Sequence, residues 1–123
     1  MTKTVAGMMA EANAAVEWVD MARARALIAD GAVVIDVRDG TELADGKVPG
    51  AMHIPRGMLE FRADAATPYH NEALQPDRPV LVYCASGGRS ALAGKLLQDM
   101  GYGQVYNLGG FKDWVDGGGE VEV

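Results

Sequence analysis

Cysteine is almost absent from this chain: Cys84 is the sole example in 123 residues. An internal disulfide is thereby excluded, and with only two histidines, His53 and His70, a structural zinc site lacks donors. Long apolar runs are missing too, so no segment approaches the roughly 20 residues that cross a bilayer. Cations are scarce, with 11 Lys and Arg against 17 Asp and Glu for a net charge of −6. That balance disfavours non-specific binding to nucleic acid or to an anionic membrane, since both need a basic surface. At the N-terminus Lys3 is not followed by an uninterrupted apolar segment, because Glu11 and Asn13 break it. A secretory signal is therefore not expected, and a cytoplasmic location is. Core-forming residues are plentiful: 49% of the chain is apolar and 23% charged, the balance of an ordinary folded domain.

The apolar pattern alternates between helical and strand periods along the whole chain. Val5, Met8, Met9, Ala12 and Val16 predict a helix over 4–16. Glu17–Val19 reads as a short edge strand, and Asp20 as the N-cap of a helix over 21–29 stopped by Gly31. Ala32–Val37 is a continuous apolar run, the mark of a strand covered on both faces. A turn-rich stretch, a short strand at 51–54 and a helical turn or two at 57–63 follow. Residues 65–79 hold three prolines and no periodicity. Pro79–Tyr83 predicts a second buried strand, 90–100 a helix ended by Gly101, 105–108 a last strand and 111–115 a closing helix. Strands alternating with helices in this way indicate an α/β fold.

The chemistry concentrates in Leu81-Val82-Tyr83-Cys84-Ala85-Ser86-Gly87-Gly88-Arg89-Ser90. Cys84 ends a buried strand, where open parallel sheets place their ligands. The small residues after it let the backbone curl and aim successive N–H groups inward. The following helix contributes its positive end, and Arg89 a permanent charge. Together they favour a thiolate, the nucleophilic form of sulfur. Ser86 and Ser90 are the best side-chain donors beside Arg89. Phosphate-binding glycine motifs are not formed: Gly94-Lys95 is followed by Leu96, and no G-x-G-x-x-G follows a strand.

Four motifs in order give a resemblance to a known family. They are Val34-Ile35-Asp36-Val37-Arg38 with Glu42, Gly46-Lys47-Val48-Pro49-Gly50-Ala51-Met52-His53-Ile54-Pro55, the Tyr83-Cys84 loop, and Leu108-Gly109-Gly110-Phe111-x-x-Trp114. The chain after residue 16 resembles a single-domain rhodanese, the sulfurtransferase family that carries sulfur as a cysteine persulfide. The resemblance implies a rhodanese-like α/β fold: a five-stranded parallel sheet with helices on both faces and the active loop after the fourth strand. With it the chain divides into an N-terminal helical extension at 1–16, a rhodanese-like domain at 17–119 and, past Gly117-Gly118-Gly119, a frayed acidic tail at 120–123. The resemblance also implies Cys84 as nucleophile, with Ala85, Ser86, Gly87, Gly88, Arg89 and Ser90 around the substrate and no metal or organic cofactor. The expected partners are a small anionic sulfur donor such as thiosulfate, a thiol or cyanide acceptor, and a protein sulfur acceptor. Lys47 departs from the family, which has histidine there, and the helix at 4–16 and the stretch 56–79 exceed its minimal domain.

Loop length separates the chemistries. Cys84 through Arg89 is a C-x4-R pattern, whereas cysteine phosphatases and arsenate reductases use C-x5-R, and the next residue here is Ser90. The shorter ring suits the outer sulfur of a persulfide better than a tetrahedral oxyanion. No carboxylate stands out as a phosphatase general acid, Glu60 and Asp64 being the nearest candidates. A binding or sulfur-carrying module without free turnover is the other alternative. Asp36, inside an apolar strand, must be partnered. Arg38 and Glu42 are spaced for an i, i+4 ion pair. His53 reads as a core histidine, His70 as a loop histidine within possible reach of the site, Arg56 and Arg62 as solvated, and Phe111 and Trp114 as core.

Overall fold

The computed structural model describes residues 2–123. Helix α1 (Val5–Ala15) is capped by Thr4, whose hydroxyl accepts the Gly7 N–H. Strand β1 (Glu17–Trp18) follows, then helix α2 (Met21–Ala29), whose N-cap Asp20 accepts the Arg23 N–H. Gly31, at φ 96°, closes α2 in a conformation that costs other residues energy. Strand β2 (Val33–Asp36) leads into a 3-10 helix at Gly40–Asp45, and β3 (Met52–His53) into a second at Arg56–Met58. Helix α3 (Leu59–Ala63), strand β4 (Val80–Cys84), helix α4 (Gly88–Asp99), strand β5 (Val105–Gly110) and helix α5 (Phe111–Asp116) complete the chain.

The five strands form one parallel sheet in the order β1-β5-β4-β2-β3. Every residue of β2 and β4 is buried, as their unbroken apolar runs require. Ile35, Val80 and Val82 face α4 and α3 together with Leu59, Leu97 and Tyr102. Val34, Leu81 and Tyr83 face α2 and α5 through Leu27, Phe111 and Trp114. Helices thus cover both faces. α1 packs on α4 and buries Ala12 and the following Val16, while Val5, expected on the buried stripe, is 67% exposed.

Within the segment 120–123, expected to be a frayed tail, Glu120 and Glu122 have partners. Glu122 pairs with Lys47 in an antiparallel bridge and accepts the Gly50 N–H on its carboxylate, and the Trp114 indole donates to the Glu120 carbonyl. Lys47 completes the arrangement by an ion pair to Glu122 and a hydrogen bond to the Ala51 carbonyl. These contacts give the backbone at Glu120 and Glu122 partners within the fold.

Candidate active site

The strand order places a crevice at the carboxyl ends of β4 and β2, because the chain leaves these neighbours toward opposite edges of the sheet. Cys84 is the last residue of β4 and stands in this crevice with 1% of its surface exposed. The chain then turns back at Gly87, whose φ of 103° belongs to the left-handed region. A side chain there would also collide with the outer edge of the Trp18 ring. Across the sheet Gly110 approaches the Ala85 carbonyl so closely that a Cβ has no room. These two glycines let the loop fold into a ring around the sulfur.

Within that ring the Gly87 N–H donates to Cys84 Sγ at 3.1 Å, and the Ser90 hydroxyl lies at 3.5 Å. Burial by itself raises the thiol pKa. Hydrogen bonds from the Ser90 side chain and amide, and from the Gly87 and Ser86 amides, outweigh it and hold Cys84 below its ordinary value. Helix α4 begins at Gly88, two residues before the expected boundary, so Arg89 and Ser90 belong to its first turn. The helix start thus contributes its dipole directly.

Asn107 is a site residue that sequence reasoning missed. A register shift between β4 and β5 skips Leu108, so that Val82 pairs with Asn107 and Tyr83 with Gly109. At this irregularity Asn107 is fully buried; its Oδ1 lies 2.8 Å from the Ser90 hydroxyl oxygen and accepts the Gly109 N–H at 2.8 Å. Its Nδ2 donates to the Gly87 carbonyl at 3.3 Å. Asn107 therefore holds the Ser90 hydroxyl and the Gly87 turn, two of the elements around the sulfur. A polar residue inside an otherwise apolar strand, as with Asp36, was the available signal.

The opposite wall comes from β2. Asp36 is fully buried; its carboxylate accepts the Arg38 N–H, the Arg38 guanidinium at 2.7 Å and the Tyr83 hydroxyl at 2.7 Å. Burial pushes this carboxyl up, but Arg38 and Tyr83 reverse the effect and hold it below the usual range. Burial likewise leads in raising the Tyr83 phenol, with Asp36 adding to it. Arg38 also donates to the Gly46 carbonyl and lies 4.5 Å over the Phe111 ring. The expected Arg38–Glu42 ion pair is not formed, since the helical turn starts only at Gly40 and buried Asp36 takes the guanidinium. Arg38 reaches only the Glu42 carbonyl.

The Glu42 carboxylate instead binds Arg89, at 2.6 and 2.9 Å, and accepts the Asp39 N–H. Arg89 holds the Glu42 pKa down to about 2, and Glu42 in turn raises that of Arg89. The expected free cation beside Cys84 is thus a neutralised one. A cavity of about 510 Å3 adjoins the loop at Ala85, walled by Arg38, Glu42, Asp45 and Asp116 over Phe111 and Val115. Ala85 and Ser86 are exposed on the rim.

The remaining polar candidates are occupied elsewhere. His53 Nε2 lies 2.7 Å from the Arg38 carbonyl, and His70 Nε2 3.0 Å from that of Leu74. His70 and Asp64 line a separate cavity with Leu74 and Met100. Arg56 pairs with Glu60, and Arg62 is exposed. Among the described residues no helix is long and apolar enough to cross a membrane.

Parallel sheet, strand-end cysteine and amide-lined ring together define an α/β domain whose thiol sits among hydrogen-bond donors. The model of the rhodanese-like domain matches residues 20–116, and the chain belongs to that family. A thiosulfate sulfurtransferase GlpE of Pseudomonas fluorescens is 38% identical over 92 residues, 74% of this chain and 77% of its own. A human single-domain sulfurtransferase superposes with a TM-score of 0.71 at 30% identity, covering 82% of this chain and 96% of that one. A Rhodopseudomonas palustris protein of unknown function, described as a possible tyrosine phosphatase, superposes with a TM-score of 0.88 at 42% identity. Coverage is 99% of this chain and 96% of that chain.

Proposed function

We propose that the protein is a sulfurtransferase that carries sulfane sulfur on Cys84. The observation that carries this reading is a single thiol, 1% exposed, inside a ring of N–H and O–H donors that favour its thiolate. The Cys84 thiolate attacks the outer sulfur of a donor such as thiosulfate. Sulfite leaves with the electron pair of the broken S–S bond, and a persulfide remains in the cradle of residues 85–90. An acceptor, cyanide or a thiol including one on another protein, then takes that sulfur and returns Cys84 to its thiolate.

The phosphatase reading requires a guanidinium free to grip a phosphoryl group. Arg89 is engaged by Glu42 on both arms, and its loop is one residue shorter than a phosphatase ring. Purified protein supplied with thiosulfate and cyanide should produce thiocyanate, and Cys84→Ser should not. An aryl phosphate should be hydrolysed no faster by wild type than by Cys84→Ser. Cysteine-dependent phosphate release without thiocyanate would reverse the assignment.

A further inference from the structure

The cations beside this site are already matched by carboxylates. Arg89 is the cation of the Cys84–Ser90 segment, and Glu42 closes on it at 2.6 and 2.9 Å. Arg38 is matched by Asp36, and Lys112 by Asp116. Asp45 stands on the cavity wall, exposed, and takes part in none of the ion pairs among the described residues. The surplus at the mouth is therefore negative, above an apolar floor of Phe111, Val115 and Val121. A short methylene arm ending in a cation fits such a surface, with its stem on the apolar floor and its charge among the carboxylates.

We infer that Glu42 sets the charge preference of the site, and that the favoured acceptor is a thiol bearing positive charge close to its sulfur. For the acceptor this rests on the sulfurtransferase reading. The acceptor thiolate attacks the outer sulfur of the Cys84 persulfide and forms a new S–S bond. The Sγ–S bond breaks, its electron pair returns to Cys84, and the acceptor departs as a persulfide. Without Glu42, Arg89 would present its charge to the incoming group and reverse the preference.

Two matched methanethiosulfonate reagents, one ending in trimethylammonium and one in sulfonate, test this on the single thiol. Glu42→Gln keeps an oxygen for the Asp39 N–H and removes the charge. The ratio of cationic to anionic modification rates should fall about fivefold to tenfold, and less at high salt. Asp45→Asn, at an exposed position that burdens no packing, should move the ratio the same way by a smaller factor. Discharge of the persulfide form should follow suit, with cysteamine losing ground to mercaptopropionate in Glu42→Gln. A Lys-Cys-Lys peptide set against Glu-Cys-Glu shows whether a peptide-borne thiol shares the preference of the small one. Ratios unchanged in both variants overturn the inference, as does an equal change for both reagents. The reagent ratio does not depend on persulfide chemistry. A shifted ratio without sulfur uptake from thiosulfate therefore overturns the sulfurtransferase reading alone, and uptake without a shift overturns the charge assignment alone.

Discussion

Ser90 and Asn107 share the task of holding donors on the Cys84 sulfur, and they are separable by substitution. Ser90→Ala removes a hydroxyl that lies 3.5 Å from Sγ and 2.8 Å from Asn107 Oδ1. The Gly109 N–H still satisfies Asn107 Oδ1, so the stability cost should be modest, about 1 kcal/mol. The thiol should change more than the fold: the midpoint of alkylation rate against pH should rise, since burial keeps raising the pKa and one opposing donor is gone. An unchanged midpoint would remove Ser90 from the account. Asp36→Asn is the contrasting case. It leaves the buried Arg38 guanidinium without its carboxylate, a loss of about 3–5 kcal/mol by urea unfolding. Neither Asn107 nor the true partner of Arg89 was legible in the sequence. Spacing reveals contacts within one element, whereas Ser90–Asn107 and Glu42–Arg89 join residues distant in the chain. Cys84 and its loop were legible because strand end, glycines and helix start are contiguous.

Among the elements, the loop between β4 and α4 packs its Gly87 turn against Trp18 from β1. Gly87→Ala adds a methyl at φ 103° and drives it into the indole, so the turn must open and withdraw its N–H from Sγ. Its thiosulfate:cyanide activity should drop at least tenfold while far-ultraviolet circular dichroism stays close to wild type. Retained activity would mean that this amide is dispensable. The alternation of strands and helices was readable because β2 and β4 are buried on both faces and announce themselves as unbroken apolar runs. The start of α4 was placed late because glycine and arginine carry no apolar period. The contacts of residues 120–123 were hidden for a different reason: their partners, Lys47, Gly50 and Trp114, are read from the fold alone.

For the whole molecule, the shifted groups fix how stability follows pH. Asp36 and Glu42 both lie below their unfolded values, Glu42 at about 2, so their contributions are complete above the carboxylate range and fade as pH falls through it. Cys84 is also lowered, so the folded state releases its proton first and gains stability as pH rises toward the free thiol value of about 8.5. Wild type should therefore gain on Cys84→Ser in unfolding free energy as pH rises across that interval. A difference independent of pH would mean that the fold does not favour the thiolate.

The proposed sulfurtransferase function requires Cys84 to take up a sulfur atom and release it again. It is tested most directly by intact mass after incubation with thiosulfate, followed by addition of cyanide. Wild type should become heavier by one sulfur atom and lose it again with cyanide, and Cys84→Ser should stay unchanged throughout. A wild type that never gains the mass, or a serine variant that gains it equally, would contradict the account.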